Sequence, residues 1–98
     1  MRIRHMVIFD LRYTKESPEA LQFLQDATEL LTQIETVQGF EAMNQISPKN
    51  DYQYGFSMEF ENEEAYRYYN EHPIHVSFVE ERWKNEVSRF LEIDFELK

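Results

Sequence analysis

Two histidines and three tyrosines lie close together in the stretch Tyr66–Phe78, which reads Y-R-Y-Y-N-E-H-P-I-H-V-S-F. His75 is the residue best suited to acid–base work, because an imidazole that titrates near neutral pH can accept a proton without much tuning. Tyr69 lies six residues earlier, and a phenol held in an apolar pocket can donate a hydrogen bond to a developing oxyanion. The stretch therefore offers His75 as a candidate base and Tyr69 as a candidate hydrogen-bond donor, and the residues alone do not name the reaction.

Two other interpretations of this stretch stay open. Pro73 disfavours helix in the residue before it, so His75 and Tyr69 have freed backbone groups nearby to which they could simply hydrogen-bond. His72 and His75 are also three residues apart, which suits a shared metal ion only on a continuous helix, and a third ligand would be needed. We expect no metal site, and we interpret His72 as a turn residue.

A third candidate, His5, lies among Ile3, Val7 and Phe9 on one face of an alternating segment. A lone histidine on an apolar face is more often a hydrogen-bonded core residue than a ligand-binding one. This face is expected to point towards the helices, where His75 should lie, and we therefore predict that His5 orients the base or the ligand. Tyr54 falls in the same layer and is either a pocket wall or a core residue.

The composition narrows the classes of function. A chain of 98 residues predicts one domain spanning residues 1–98. Ten Lys and Arg against nineteen Asp and Glu give a net charge of -9, which argues against binding to nucleic acids and to anionic membranes. No cysteine is present, so disulfides, thiolate metal sites and cysteine nucleophiles are excluded. With no long apolar run at the N-terminus, the sequence predicts a cytoplasmic protein.

The elements that would position these residues follow the order β-α-β-β-α-β. A strand is predicted over residues 2–12, and a helix begins at Ser17-Pro18 and ends at a left-handed Gly39 cap. The remaining elements are two strands joined by a turn, a short helix capped by Asn62, a second helical segment and a closing strand, at residues 40–46, 52–60, 62–71, 76–88 and 91–97.

This order predicts an α+β fold of the ferredoxin-like βαββαβ type, with a four-stranded antiparallel sheet. The closing strand would lie beside the first, and we expect its acidic face to lie on the same side of the sheet as Arg2 and Arg4. The acidic residues are Glu92, Asp94 and Glu96.

Helices in this fold cover only one face of the sheet, yet Met6, Ile8 and Met43 are predicted to lie on the other face. Exposed apolar patches of this kind usually mark an interface. We therefore predict a homodimer in which the sheets of two copies pack face to face.

Four segments in this order resemble the stress-responsive A/B barrel (Dabb) family of the dimeric α+β barrel superfamily. They are I-R-H-M-V-I-F-D-L, Y-Q-Y-G-F-S-M-E-F with E-N-E-E-A, Y-N-E-H-P-I-H-V-S-F, and L-E-I-D-F. The resemblance implies a dimeric barrel with the helices outside and no cofactor.

The resemblance also implies roles for individual residues. A plant polyketide cyclase of this family closes a ring without a cofactor, with the residues matching His75 and Tyr69 as base and acid. Its N-terminal histidine matches His5, whereas two of its pocket residues are replaced here by Tyr54 and Ala27. The pocket that we predict from this comparison consists of Tyr54, Leu24, Ala27, Val7 and Phe78.

The candidate residues and the resemblance together leave three functions open. The first is a small-molecule-binding protein that takes a largely apolar organic ligand and acts on its carbonyl group as a cyclase or lyase. The second is a stress-associated protein of the same fold that binds a ligand without turnover. The third is a monooxygenase, either cofactor-free or haem-degrading, that would use Trp83 and His75.

Overall fold

The computed structural model describes residues 1–98 as a four-stranded antiparallel sheet with helices on one face. The elements are β1 (Ile3–Leu11), α1 (Pro18–Leu31), β2 (Gln38–Asn44), β3 (Tyr54–Phe60), α2 (Glu63–Glu71), α3 (Pro73–Phe78), a π-helical turn (Val79–Trp83), α4 (Lys84–Glu86) and β4 (Val87–Glu96). The strand order is β2-β3-β1-β4. This arrangement confirms the predicted ferredoxin-like fold, including the position of the closing strand beside the first.

The central strand, β1, shows why the sheet has one buried face. Its residues alternate between buried and half-buried positions from Ile3 to Leu11, as expected when successive side chains point to opposite sides. In register, His5 lies between Met58 of β3 and Asp94 of β4. His5 therefore belongs to the helix-facing layer, as predicted.

The first helix begins as predicted and ends earlier. The Ser17 side chain accepts a hydrogen bond from the Ala20 amide at 3.2 Å, and Pro18 occupies the first turn. The helix ends at Leu31, where tight turns such as Ile34 N–H to Leu31 C=O, at 3.2 Å, replace helical hydrogen bonds and carry Ile34 into the core. The prediction that Gly39 caps this helix was wrong, because Gly39 lies within β2, where it has φ 57° at an irregularity in the strand pairing.

An aromatic cluster fills the space between the sheet and the helices. Phe9 packs on Phe56 at 4.7 Å between ring centroids and on Trp83 at 5.1 Å, and Phe23 reaches it from α1 at 6.1 Å. Burying each ring of this size contributes roughly 1.5–3 kcal/mol to folding. This cluster fixes the distance between the helices and the sheet, and so fixes the space beside it.

The helical region after β3 is interrupted at Pro73, as the sequence predicted. Asn62 caps α2, and His72 ends α2 and caps α3 through its ring, which accepts from the Ile74 amide at 3.1 Å. The predicted single helix over residues 76–88 is instead α3, a π-helical turn and α4, and Val87 already belongs to β4. No helix here combines the length and the apolar character needed to cross a membrane.

The register of β4 corrects the predicted charge pairing. Glu92 lies opposite Val7, Asp94 opposite His5 and Glu96 opposite Ile3, so these acidic residues share the helix-facing side of the sheet. The expected pairing with Arg2 and Arg4 was therefore wrong.

The partner of the two arginines is on β3 instead. Arg2 and Arg4 both bind Glu59, at 2.9 and 2.8 Å. The reason is the register, because β1 pairs Arg4 directly with Glu59 on the open face of the sheet.

The open face is consequently more apolar than the sequence indicated. Leu91 and Ile93 lie opposite Ile8 and Met6, and they are 48% and 37% exposed. Met43 extends the same face on β2, and Phe95 extends it on β4. We call these six residues, Met6, Ile8, Met43, Leu91, Ile93 and Phe95, the open-face patch.

Candidate functional site

A cavity of about 260 Å³ lies beside the aromatic cluster, between the sheet and the segment from α2 to the π-helical turn. Most of its lining is apolar or aromatic, and four polar residues interrupt it. The lining residues are His5, Val7, Leu31, Phe56, Met58, Tyr69, Asn70, His75, Phe78, Val79, Trp83, Phe90 and Glu92. A mostly apolar hollow with a few convergent polar groups is the usual form of a small-molecule site.

His75 and Tyr69 lie side by side in the cavity wall. The two rings are 4.3 Å apart between centroids, at an interplanar angle of 44°. The break at Pro73 makes this possible, because Tyr69 belongs to the last turns of α2 and His75 to the first turn of α3. Their proximity was predicted, whereas their catalytic roles stay predictions.

The hydrogen bonding of His75 sets its tautomer, and its burial sets its protonation state. Its Nδ1 lies 3.1 Å from the Asn70 carbonyl oxygen, and because a carbonyl can only accept, Nδ1 carries the proton and Nε2 in the neutral ring does not. Burial lowers the pKa of His75 below its ordinary value, against a smaller opposing effect of the Asn70 bond. His75 is thus neutral at pH 7 and able to accept a proton at Nε2.

Tyr69 has the opposite electrostatic character. The residue is buried, and burial, reinforced by the negative charge of Glu92, raises the pKa of its phenol far above the ordinary value. Tyr69 therefore keeps its proton throughout the neutral range and is able to donate a hydrogen bond to an oxyanion.

His5 is held by a second pair of polar side chains. Its Nδ1 lies 2.6 Å from the Asp94 carboxylate and 2.9 Å from the Tyr66 hydroxyl, which in turn donates to Asp94 at 3.0 Å. Burial and this carboxylate raise the pKa of Tyr66 strongly. The other ring nitrogen of His5, Nε2, lies 3.9 Å from Glu92. The His5 ring is therefore fixed in orientation at the cavity wall.

The predicted pocket residues divide into two groups. Val7 and Phe78 line the cavity, whereas Leu24, Ala27 and Tyr54 do not. Tyr54 is fully buried beside Phe9, and its hydroxyl accepts from the Glu16 amide at 2.9 Å. It lies four residues along β3 from Met58, which corresponds to roughly 13 Å.

Leu24 and Ala27, the two predicted pocket residues on α1, lie outside the cavity for a different reason. The buried face of α1 consists of Ala20, Phe23, Ala27 and Leu31. Leu24 is only half-buried, because it is rotated by about 100° from Phe23. Ala27 is packed into the core, and the cavity is reached one turn later by Leu31.

Several site residues were missed by the sequence reasoning. Glu92 and Phe90 line the cavity, and Asp94 and Tyr66 hold His5. The signal was the alternation of β4. If its acidic side, instead of its apolar side, faces the helices, then every second residue from Phe90 to Asp94 lies on the helix-facing side. Tyr66 could have been found as the residue three before Tyr69 on the same helical face.

The two histidines of the H-P-x-H segment do not share a site. His72 Nε2 lies 3.9 Å from Glu35 on the surface, whereas His75 faces the cavity. The structure brings together no group of three or more His, Asp or Glu side chains suited to a metal ion.

Among known protein families, one is similar to this sequence. The family model described as the Stress Responsive A/B Barrel Domain, Dabb, matches residues 3–97. A similar curated sequence is the stress-response A/B barrel domain-containing protein At5g22580 of Arabidopsis thaliana. It is 30% identical over 79 residues, which cover 76% of this chain and 68% of that protein.

Solved structures show the same fold. A Dabb family protein with a ferredoxin-like fold from Mesorhizobium loti is 50% identical, with a TM-score of 0.96 over 99% of this chain and 97% of that chain. The hydroxynitrile lyase of Passiflora edulis is 11% identical, with a TM-score of 0.84 over 99% of this chain and 94% of that chain. At that identity the likeness is one of fold alone.

Proposed function

The chain belongs to the stress-responsive A/B barrel (Dabb) family, and we propose that it binds a small organic carbonyl compound and catalyses proton transfer at the carbon next to the carbonyl, without a cofactor. His75 is the base, Tyr69 is the acid, and His5 orients the ligand. The observation that carries the proposal is the adjacent pair of His75 and Tyr69 rings, 4.3 Å apart in the wall of a cavity of about 260 Å³.

The two groups divide one reaction step between them. His75 Nε2 takes a proton from the carbon beside the carbonyl, the electron pair of that C–H bond forms a C=C bond to the carbonyl carbon, and the π pair of the C=O bond moves to the oxygen. The Tyr69 hydroxyl donates a hydrogen bond to the resulting enolate oxygen, and an apolar, water-poor wall strengthens that bond. Return of the proton from His75 to carbon regenerates the ketone, so the step is balanced without any other reactant.

The fold-level comparison supports this class of function only in general terms. One protein of the same fold is a hydroxynitrile lyase, so the fold accommodates lyase activity. Because function depends on the site and not on the fold, the roles of His75 and Tyr69 are supported by their own geometry.

Hydrogen–deuterium exchange tests the proposal directly. The acetyl methyl protons of 4-ethylacetophenone exchange with D₂O, and proton NMR follows their loss. This exchange should be faster in the presence of the protein than in buffer alone. His75→Ala and Tyr69→Phe should each reduce the protein-dependent rate by roughly 10²-fold, the lower end of what a positioned acid or base contributes.

A matched control separates catalysis from general destabilisation. Tyr68→Phe changes a neighbouring tyrosine that is 46% exposed and does not line the cavity, so the exchange rate should stay at the wild-type value. Circular dichroism should show that all variants are folded. An unchanged rate in folded His75→Ala, or no exchange by the wild type with a panel of small alkyl and aryl ketones, would rule out the catalytic role.

One observation favours a second candidate, a protein that binds its ligand without turnover. His75 does bond a backbone carbonyl freed at the end of α2, that of Asn70, as the structural interpretation of this stretch predicted. In that case His75→Gln, which keeps a side-chain donor, should bind the ketone as tightly as the wild type, and no variant should alter exchange.

The cavity volume bears on the monooxygenase alternative. Trp83 and His75 both line the cavity, but its volume of about 260 Å³ is below the range typical of drug-sized ligands. This favours a compact organic molecule over haem. Binding of added haem, seen as a shifted absorption band that is absent in His75→Ala, would reverse this preference.

We also propose that two copies form a homodimer through the open-face patch. Support comes from Leu91, Phe95 and Ile93, which are 48%, 49% and 37% exposed side by side on one strand. An apolar sheet face of this kind is stabilised when a second apolar face covers it. Packing of two such sheets gives the barrel that the family name describes.

A further inference from the structure

Glu92 is the charged side chain of the cavity lining that no step of the proposed reaction uses. It lies on the helix-facing side of β4, opposite Val7, and its side chain is 57% exposed at the cavity. It comes within 3.9 Å of His5 Nε2. A carboxylate in this position acts on whatever ligand occupies the cavity.

No positive side chain offsets this charge inside the cavity. Neither Lys nor Arg occurs among the lining residues, and the only other titratable groups there are His5, His75 and Tyr69. Asp94, which lies behind His5, adds a further negative charge. An anionic ligand would therefore meet like charge at the Glu92 end of the cavity, where water screens the repulsion in part because the Glu92 side chain is 57% exposed.

The surroundings of Glu92 suit a cation. Phe90 lies two residues before it on the same side of β4, and its ring contacts Trp83 edge-to-face at 5.5 Å. The faces of tryptophan and other aromatic rings attract ammonium groups. The cavity lining thus combines a carboxylate with two aromatic rings, all of which attract organic cations.

Resting on the carbonyl chemistry proposed above, we propose that Glu92 makes this cavity selective for carbonyl compounds that carry an ammonium group. The carbonyl lies at His75 and Tyr69, and the ammonium group lies against the Glu92 carboxylate, Trp83 and Phe90. Carboxylate analogues of the same size are excluded. Glu92 is then the residue that determines the charge class of the substrate.

Three ketones of similar size and different charge test this selectivity. They are 4-(aminomethyl)acetophenone as its ammonium ion, neutral 4-ethylacetophenone and anionic 4-acetylbenzoate. Trp83 is the single tryptophan of the chain, so its fluorescence reports on occupancy of the cavity directly.

The wild type should bind the ammonium ketone about tenfold more tightly than the neutral one, and the anion about tenfold more weakly. The factor is modest because Glu92 is half-exposed and water screens it. It should shrink further in about 1 M salt.

Two variants locate the effect. Glu92→Gln removes the charge and keeps the shape, so the three ketones should bind with nearly equal affinity. Glu96→Gln is the matched control, because Glu96 lies on the same side of the same strand but does not line the cavity. It removes one charge from a chain of net charge -9 and should leave the preference intact.

The possible results separate this inference from the proposed function. Equal affinities in the wild type, a preference that persists in Glu92→Gln, or an equal loss in Glu96→Gln would each overturn the selectivity of Glu92. The ammonium preference without exchange of methyl protons would overturn only the proposed catalysis. Failure of all three ketones to reach Trp83 would overturn both.

Discussion

The two imidazoles of the cavity are held by different acceptors, and the difference determines what each one can do. His75 Nδ1 donates to a neutral carbonyl, that of Asn70, whereas His5 Nδ1 faces the carboxylate of Asp94. The carbonyl fixes the proton of neutral His75 on Nδ1 and leaves Nε2 as an acceptor. Within one cavity, His75 therefore offers a free acceptor nitrogen, whereas the His5 ring is fixed in orientation by Asp94 and Tyr66.

The lowered pKa of His75 predicts how activity depends on pH. Exchange of ketone protons requires neutral His75, so the rate should be level near pH 7 and fall as pH drops through a pKa below the ordinary value of 6.5. A pH–rate profile of the wild type measures this. A profile whose midpoint lies at or above pH 6.5 would contradict the burial argument.

The same shift predicts how stability depends on pH. The folded state holds His75 neutral, while the unfolded chain takes up a proton near the ordinary pKa of 6.5. The contribution of His75 to the free energy of unfolding is thus fully present above this pH. It is lost as pH falls towards the folded pKa, by at most about 1.4 kcal/mol per pH unit. Urea unfolding of wild type and His75→Gln at several pH values should show a steeper decline for the wild type, and parallel curves would contradict it.

Sequence reasoning at this scale succeeded where the signal was local. His75 and Tyr69 are neighbours because a helix break brings them together within a few residues of chain. Glu92 and Asp94 were missed because the side of the sheet on which they lie depends on the pairing of β4 with β1. These two strands come from opposite ends of the chain. A shift of phase by one residue moves every side chain of a strand to the other face.

At the scale of elements, α2 positions Tyr66 and Tyr69, so the residue that caps this helix affects the site as well as the stability of the fold. The Asn62 side chain accepts from the Ala65 amide at 2.8 Å. Asn62→Ala should lower the free energy of unfolding by about 1 kcal/mol, since an amide donor loses its partner. Urea denaturation measures the change.

A surface position on α1 provides the control for the cap. Gln25 is exposed on α1, and Gln25→Ala should change stability by less than about 0.5 kcal/mol. Equal losses in the two variants would show that Asn62 has no special role at the start of α2.

The errors at this scale have a common physical origin. Helix periodicity persists in Leu31, Ile34 and Val37, although the helix has already ended, because tight turns also bury every third residue. The strand β4 carries apolar residues on one side and acidic ones on the other, which would ordinarily put the apolar side in the core. Here the apolar side faces outwards, and alternation alone does not say which face of a sheet the helices cover.

For the whole molecule, the open-face patch predicts the assembly. Ile93 lies on the open side of β4 opposite Met6, so Ile93→Lys would place a charge within the proposed interface. We expect this variant to be a folded monomer and the wild type to be a dimer in sedimentation analysis. Burying an unpaired charge is strongly unfavourable.

A surface change elsewhere tests whether the effect is specific. Leu21 is 47% exposed on α1, away from the open face, and Leu21→Lys should remain dimeric. A dimeric Ile93→Lys variant would contradict the interface. The cytoplasmic location expected from the sequence stays a prediction.

The most direct test of the account is a nitrogen-15 NMR titration of the His75 ring, with and without 4-ethylacetophenone. We predict a neutral ring protonated at Nδ1, a pKa below 6.5, and a Nε2 signal that shifts when the ketone is added. A ring protonated at Nε2, or an ordinary titration that no ketone alters, would contradict the role of His75 as the base of this cavity.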